Sequence, residues 1–504
     1  MPDRTRSPET SESQPAFAYV VVRSTDYVTH SNPAYAGNPL IECLEQYLDP
    51  MDLADALENR PHWDPSQRML SPVERGQLAN GLIGLVIGLP RLLAFARSCI
   101  DLAMEGYVGR EPFKPRHRQF LQMRYEQRMA RTKAKLAAAS AAVQSVGPVT
   151  VATDLARAAP EQPGSDKAAK AALELSTALI GGSGSGKSTA LIALAGLWPR
   201  VLYHIEHGIW QIPVLIIRLP RDGRSLHSLA TAIIKALDKL LPFSGYAKEH
   251  LRRNSQGNAG ERILIAENLM HIHAVGLLLV DESQDQKSAT PRKEARQSKK
   301  LAGPADEEAN IYPEMEAPLI SLLTEASNTL HIPVVLVGTN ELTDILAGRL
   351  TRSRRACGHG MELWGVLATN SLEEPDDFEL LLMALWEYQW LGDDVALTQP
   401  MADLFADLTQ RVPDIVVKLY IATIRRALEL GLESFDEALV RETFEKEFIT
   451  VHAALDALRQ NDPEKLVRFP DIAPIDLRPG PGYTAAAARM HKENLAQRSR
   501  KRAQ

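Results

Sequence analysis

The chain has 504 residues, of which 45% are hydrophobic and 24% charged, with a formal net charge of −6. That length points to about two to four domains with room for a large core, and so ordinary a composition excludes wholesale disorder and the fibrous classes. A pI ≈ 6.2 excludes a protein coated in positive charge, so any nucleic-acid contact must be local.

The first fifteen residues, MPDRTRSPETSESQP, are polar with no apolar run behind their charges, so residues 1–16 are expected to be a disordered tail and not a signal peptide. The three cysteines, Cys43, Cys99 and Cys357, are far apart and form no C-x-x-C pair, which leaves neither a disulfide framework nor a zinc site and fits a reducing cytoplasm. Residues 17–146 are expected to be a mostly helical N-terminal region. In it Ser71, Pro72 and Glu74 make a helix start, with Ser71 as cap and Glu74 reaching back. The most membrane-like run, GLIGLVIGLP from Gly81, is stopped by Pro90 and Arg91 at about half the length of a bilayer span. It reads as a buried helix, and no membrane contact is expected. From Arg124, RYEQRMARTKAKLAAASAA reads as a basic helix, either a solvated face or a nucleic-acid contact.

Residues 147–172, rich in Pro, Gly, Ala and Ser, read as a linker or surface loop. Beyond them the pattern changes. Four apolar runs, Ser176 to Ile180, Val214 to Leu219, Val275 to Val280 and Pro333 to Gly338, alternate with helical stretches. Continuous apolar strands separated by helices predict an α/β fold with a parallel sheet covered on both faces, spanning residues 173–368. A charged, aperiodic insertion at 286–309 interrupts it. Residues 369–460 read as helical, forming a lid, and 461–504 as a basic tail.

The stretch LIGGSGSGKSTAL, Leu179 to Leu191, carries the chemistry. Gly181-x-x-x-x-Gly186-Lys187-Ser188 lies between an apolar strand and a helix, the setting in which the P-loop pattern has meaning. Residues Gly181, Gly182, Ser183, Gly184, Ser185, Gly186 and Thr189 offer a backbone whose amides turn inward to hold phosphate at a helix N-terminus. Lys187 is expected to bridge the β- and γ-phosphates of ATP and Ser188 to ligate Mg²⁺. The second arm is GLLLVDESQD: Asp281 closes a buried strand and serves the metal, and Glu282 follows as the base for water, strand alternation sending the two side chains apart. Thr339 or Asn340, ending the fourth strand, would sense the γ-phosphate. Among Arg349, Arg352, Arg354 and Arg355 one is expected to reach a neighbouring subunit's nucleotide, the plain alternative being a surface cluster. The His271/His273 and His204/His207 pairs read as structural, and Trp386, Tyr388 and Trp390 as helix packing.

The surroundings of these motifs resemble TnsC, the AAA+ target-selection regulator of bacterial cut-and-paste transposons, of the wider TniB/MuB-like superfamily. The matching stretches run in order from about residue 35 to 460: NPLIECL, GYVGREP, LIGGSGSGKST, WPRVLYH, HAVGLLLVDESQ, IPVVLVGTNEL, RSRRACGHG, PDIVVKLYIATIRRALELG and VHAALDALR. The resemblance implies an AAA+ P-loop NTPase fold with a helical N-terminal region and a helical C-terminal lid. It implies an ATP- and Mg²⁺-dependent ATPase that self-associates into a ring or filament on double-stranded target DNA. Its partners would be a target selector of the TniQ/TnsD type and transposase subunits of the TnsA/TnsB type. It places Arg354 and Arg355 in the arginine block and Lys418 near a second sensor. It implies a bacterial cytoplasmic protein. Against the resembling family, the insertion after Asp285 is longer than usual and the C-terminal tail shorter than in the longest relatives, so Arg498, Arg500, Lys501 and Arg502 stand as partner contacts or as a solubilising tail. Channel candidates for DNA are Arg224, Arg252 and Arg253, against plain surface positions. A DNA motor of helicase type and an AAA+ loader are the other classes this sequence allows.

Overall fold

In this computed structural model the residues described are 18–108, 110, 175–219, 226–251, 259–283, 331–340, 342–343, 346, 358–460, 466, 468–469 and 471–472. The expected tail 1–16, the basic segment from Arg124, the linker 147–172, the insertion 286–309 and the last residues from 473 lie outside them. So do Arg224, Arg252, Arg253, Arg349, Arg352, Arg354 and Arg355.

Five parallel strands make the central sheet: β2 (Ser176–Gly181), β5 (Val214–Arg218), β6 (Leu277–Asp281), β7 (Val334–Gly338) and β8 (Met361–Trp364), in the order β5-β6-β7-β2-β8. The four apolar runs are the first four of these, and β8 is a fifth that the sequence reading missed, being short and only partly buried. Alternation along each strand sorts the side chains into two cores. Ala178, Ile180, Leu278, Val280, Val334 and Leu336 face α6 (Leu226–Leu240) and α8 (Ala259–Ile272), where Leu229, Ile233, Ala266 and Met270 cover them. Leu179, Leu277, Leu279, Val335 and Val337 face the other way, against α5 (Lys187–Gly196) and the N-terminal helices.

Those helices are α1 (Pro39–Glu42), α2 (Pro50–Leu57), α3 (Pro72–Ala79) and α4 (Pro90–Tyr107). At α3 the expected start is present: Glu74 N–H donates to Ser71 Oγ at 3.4 Å and Ser71 N–H to Glu74 Oε2 at 3.0 Å. A strand β1 (Val20–Val22), unforeseen from sequence, pairs with β3 (Leu202–His204), which joins β4 (Ile209–Gln211) in a separate three-stranded sheet. The run from Gly81 corrects a second expectation. It is not a buried helix but a 3-10 turn over Asn80–Gly84 followed by extended chain, bridged to Asn59 through Val86. Gly81, Gly84 and Gly88 weaken helix in it, and Pro90 holds Leu89 extended at φ −62, ψ 146, so helix begins only at α4.

The lid is α9 (Asp377–Trp386), α10 (Gln399–Thr409), α11 (Pro413–Glu429), α12 (Glu437–Glu447) and α13 (His452–Gln460). Its core includes buried Trp386, Tyr388 and Trp390, as expected of packing residues, and extends to Leu82, Leu85, Ile87 and Leu89. Arg75 fastens the two regions further, its guanidinium donating to both oxygens of Glu433 at 2.9 and 3.1 Å. The N-terminal region is thus shared between the sheet and the lid, and a cavity lies between them. No helix among the described residues is long and apolar enough to cross a membrane.

Candidate nucleotide site

The loop after β2 lies where the strand order reverses, with β7 on one side and β8 on the other, the position at which open parallel sheets bind ligands beyond their strand ends. Gly184 at φ +77 and Gly186 at φ +92 turn the chain through the left-handed region, which a side chain strongly disfavours. Gly186 leads directly into α5, so the turn presents amide groups and a helix N-terminus to one point. The Lys187 ammonium is folded back onto this loop, donating to the carbonyls of Gly181 and Gly182, each at 2.8 Å, and to Ser185 Oγ at 3.4 Å. Burial pulls Lys187 down to about 8, with Asp281 and Glu282 opposing the shift.

Asp281 ends β6 and accepts from Ser188 Oγ at 3.2 Å, its other oxygen accepting from the Glu282 N–H at 2.9 Å. Burial raises its pKa, partly offset by the Glu282 N–H and by Ser188. A half-buried carboxylate beside a hydroxyl fits Mg²⁺, which takes few protein oxygens and draws the rest from phosphate and water. Among the described residues no group of three or more His, Cys, Asp and Glu side chains could cage a metal, so a cation here would have to be held jointly with phosphate. Of the paired histidines, buried His204 contacts Tyr27 Oη and Gln211 Oε1, and buried His273 contacts Tyr246 Oη.

Glu282 parts from Asp281 by a different device from the one expected. It stands beyond the strand end with φ +57, and its carboxylate accepts from Arg218 Nη2 at 2.6 Å. Strand alternation is therefore not what separates the two acids. Thr339 and Asn340 follow β7 as foreseen and open a helical turn, their carbonyls accepting from Leu342 and Thr343 N–H. Thr339 lines the same cavity as the loop.

That cavity, ≈ 410 Å³, joins Ser183 through Ala190 to Asp281, Glu282, Thr339 and Lys418. Lys418 reaches it from α11, where it pairs with Asp414 at 2.6 Å. The N-terminus of α11 rests on the loop itself, Asp414 N–H donating to Gly184 O at 3.2 Å. The far wall, Ile83, Leu85, Val86, Ile87 and Leu89, and Arg91, which joins that wall to the loop, are residues that sequence reasoning did not select. Arg91 donates to Ser185 O at 2.9 Å and Gly365 O at 3.2 Å and lies over the Trp364 ring at 4.8 Å. Burial pulls its guanidinium down to about 10. Pro90 and Arg91 after a glycine-rich apolar run were the only signal in the sequence, and they read as the stop of a buried helix. The apolar wall suits a flat heterocycle, and the opposite end suits phosphate.

Residues 172–346 match the family described as AAA domain. With the sheet order and the loop geometry, the match defines an AAA+ P-loop fold, a parallel sheet flanked by helices with helical N- and C-terminal regions, of the nucleotide-binding kind. No curated protein matches the chain. Solved structures similar to it include the RuvB Holliday junction branch migration motor of Thermotoga maritima, at 14% identity and TM-score 0.31 over 63% of this chain and 87% of that one. Cdc6p from Pyrobaculum aerophilum is similar at 13% identity and TM-score 0.32, covering 64% and 79%. The Aeropyrum pernix ORC2 protein is similar at 13% identity and TM-score 0.31, covering 66% and 90%. Likenesses this remote say nothing of what the chain acts on.

Proposed function

We propose that the chain is an ATPase of the TnsC type, which assembles with ATP and Mg²⁺ on double-stranded target DNA and passes a target selector's choice to a transposase. The observation that carries the nucleotide half is the meeting, around one cavity, of the glycine turn with Lys187, the Ser188–Asp281 contact and the Glu282 carboxylate. The transposition half rests on the ordered sequence resemblance through most of the chain. Lys187 binds the β- and γ-phosphates once it leaves the loop carbonyls, Ser188 and Asp281 hold the cation, and Glu282 accepts the proton of the attacking water. Bound Mg²⁺ supplies charge neutralisation between the phosphates. Thr339 or Asn340 reads the γ-phosphate, and an arginine among Arg354 and Arg355 completes the site from a neighbouring copy. ATP then acts as an assembly switch.

Sedimentation and imaging with duplex DNA test this reading. The chain is expected to form large DNA-bound assemblies with ATP and none without nucleotide, and Lys187→Ala to form none in either case. ATP-dependent assembly that survives Lys187→Ala would defeat the assignment. Strand displacement during ATP turnover would favour the motor class instead, and DNA-bound assembly that delivers another protein without any transposase contact would favour the loader.

A further inference from the structure

The nucleotide loop is touched by a part of the chain that no motif marks. Beyond α13, Leu466 is buried at 7% exposure, Phe469 N–H donates to Leu466 O at 2.9 Å, and Ile472 N–H donates to Phe469 O at 3.2 Å. This turn brings Asp471 and Ile472 across the outer face of the loop. Ser183 N–H donates to Asp471 O at 2.6 Å. Gly182 lies under the same residues, a Cβ there standing 3.6 Å from both Asp471 O and Ile472 Cα. Ile472 anchors the turn, lining with Trp364, Val412 and Leu458 a second cavity of ≈ 290 Å³ beside the loop.

We infer that Asp471 and Ile472 form an autoinhibitory strap, which engages the Ser183 amide from the outer face of the phosphate loop in the empty protein and is lifted when a nucleoside triphosphate binds. The inference rests on the nucleotide reading above. A peptide carbonyl carries the partial negative charge that a phosphate oxygen would offer, so an amide already donating to Asp471 has no hydrogen left for an anion. The Asp471 carboxylate adds a full negative charge close enough to act on Lys187, and like charge opposes a triphosphate at the same ammonium. Because the strap is tethered to the lid through α13, it competes at high effective concentration, and one hydrogen bond with one apolar anchor is enough. Binding energy spent on lifting it couples the nucleotide to the position of the chain that follows the lid.

Titration of the full-length chain with a fluorescent ATP analogue, together with hydrogen exchange of the peptide spanning 466–472, tests the strap. Ile472→Glu removes the anchor and is expected to bind nucleotide about fivefold more tightly. Asp471→Asn, which keeps the carbonyl, should give a smaller gain that fades as salt rises. In the unaltered chain, saturating ATP should speed exchange of the 466–472 peptide while the loop itself becomes protected. Unchanged affinity in both variants, or a peptide that exchanges alike with and without ATP, would overturn the strap. Lys187→Ala separates the two readings: if it binds the analogue as well as the unaltered chain does, the nucleotide assignment has failed and the strap falls with it. If Ile472→Glu does not fold, Asp471→Asn and the exchange measurement on the unaltered chain still decide whether the strap exists.

Discussion

The two ends of the cavity are built on different terms. At the phosphate end, a contiguous loop and the end of β6 supply the glycines, the lysine, the hydroxyl and the carboxylates, and their residue types are dictated by chemistry: glycine for a left-handed turn at Gly184 and Gly186, lysine for charge, a hydroxyl and a carboxylate for a cation. At the opposite end, Ile83, Leu85, Val86, Ile87 and Leu89 form a wall out of side chains that any core could use. Phosphate asks for particular atoms at particular points, whereas a heterocycle asks mainly for apolar surface and shape. The first end is thus narrow in sequence terms and the second wide, although both face one ligand.

Substitutions that separate the two ends test this contrast. The largest effect after loss of Lys187 is expected from Glu282→Gln, which removes a proton acceptor and leaves Ser188, Asp281 and the loop in place. Steady-state hydrolysis should fall by about 10²–10⁴-fold, with ATP affinity and DNA-bound assembly retained. Hydrolysis within a few-fold of the unaltered chain would remove Glu282 from the role of base. Next in size is Ile83→Ala. Ile83 is 65% exposed although it lines the cavity, so its loss costs little core. It should weaken ATP by about tenfold, from about 0.8 kcal/mol for each of the roughly two methylene equivalents that a base would cover, and leave inorganic tripolyphosphate binding unchanged. Equal losses for ATP and tripolyphosphate would break the division of the cavity into a base end and a phosphate end.

Legibility in the sequence follows the same division. The strands β2, β5, β6 and β7 are apolar almost throughout because both their faces are buried, and such runs stand out. Strand β8 is short and half-covered, and β1 has to find β3 far along the chain, so neither leaves a local trace. Lys187, Ser188 and Asp281, named from the sequence, line one cavity, with Ser188 Oγ donating to Asp281. Arg91 and Trp364 escaped notice because their meeting is made by packing between α4 and β8, which no spacing encodes. The Gly81 to Pro90 run was misjudged for a related reason: its hydrophobicity serves two neighbours, the lid core and the cavity, and a segment shared in this way need not be a helix. Glu282 was assigned from its neighbour Asp281, but its direction comes from a positive φ, a feature that side-chain alternation does not predict.

Proton linkage sharpens the contrast at the phosphate end. With Lys187 drawn down to about 8 by burial, the empty site loses its ammonium as pH rises through that value. Phosphate favours the charged form, so binding takes up a proton above about pH 8 and affinity should fall there, by up to about tenfold per pH unit. Below that value the ammonium is already present and affinity should be flat. Isothermal titration from about pH 7 to about pH 9 checks the slope. Tripolyphosphate should follow the same curve, since the base end offers no titrating partner to the ligand, and the Ile83→Ala deficit should be the same at every pH.

The smallest expected effect concerns Arg218, which ends β5 and holds Glu282 at 2.6 Å. The Arg218 side chain is 74% exposed and that of Glu282 28%, so water competes for both ends of the pair. Exposed pairs of this kind contribute about 0.2–1 kcal/mol. While the pair is made, the carboxylate points along the sheet edge toward Arg218, and turning it to a water at the γ-phosphate costs that amount. Arg218→Ala should therefore raise ATP hydrolysis by a factor of up to about five, with ATP and tripolyphosphate affinities unchanged, because Arg218 does not line the cavity. A fall in hydrolysis would instead mean that Arg218 holds Glu282 in its working position. The double variant Arg218→Ala with Glu282→Gln should show no such gain over Glu282→Gln alone, since the ion pair that holds the carboxylate is then already gone.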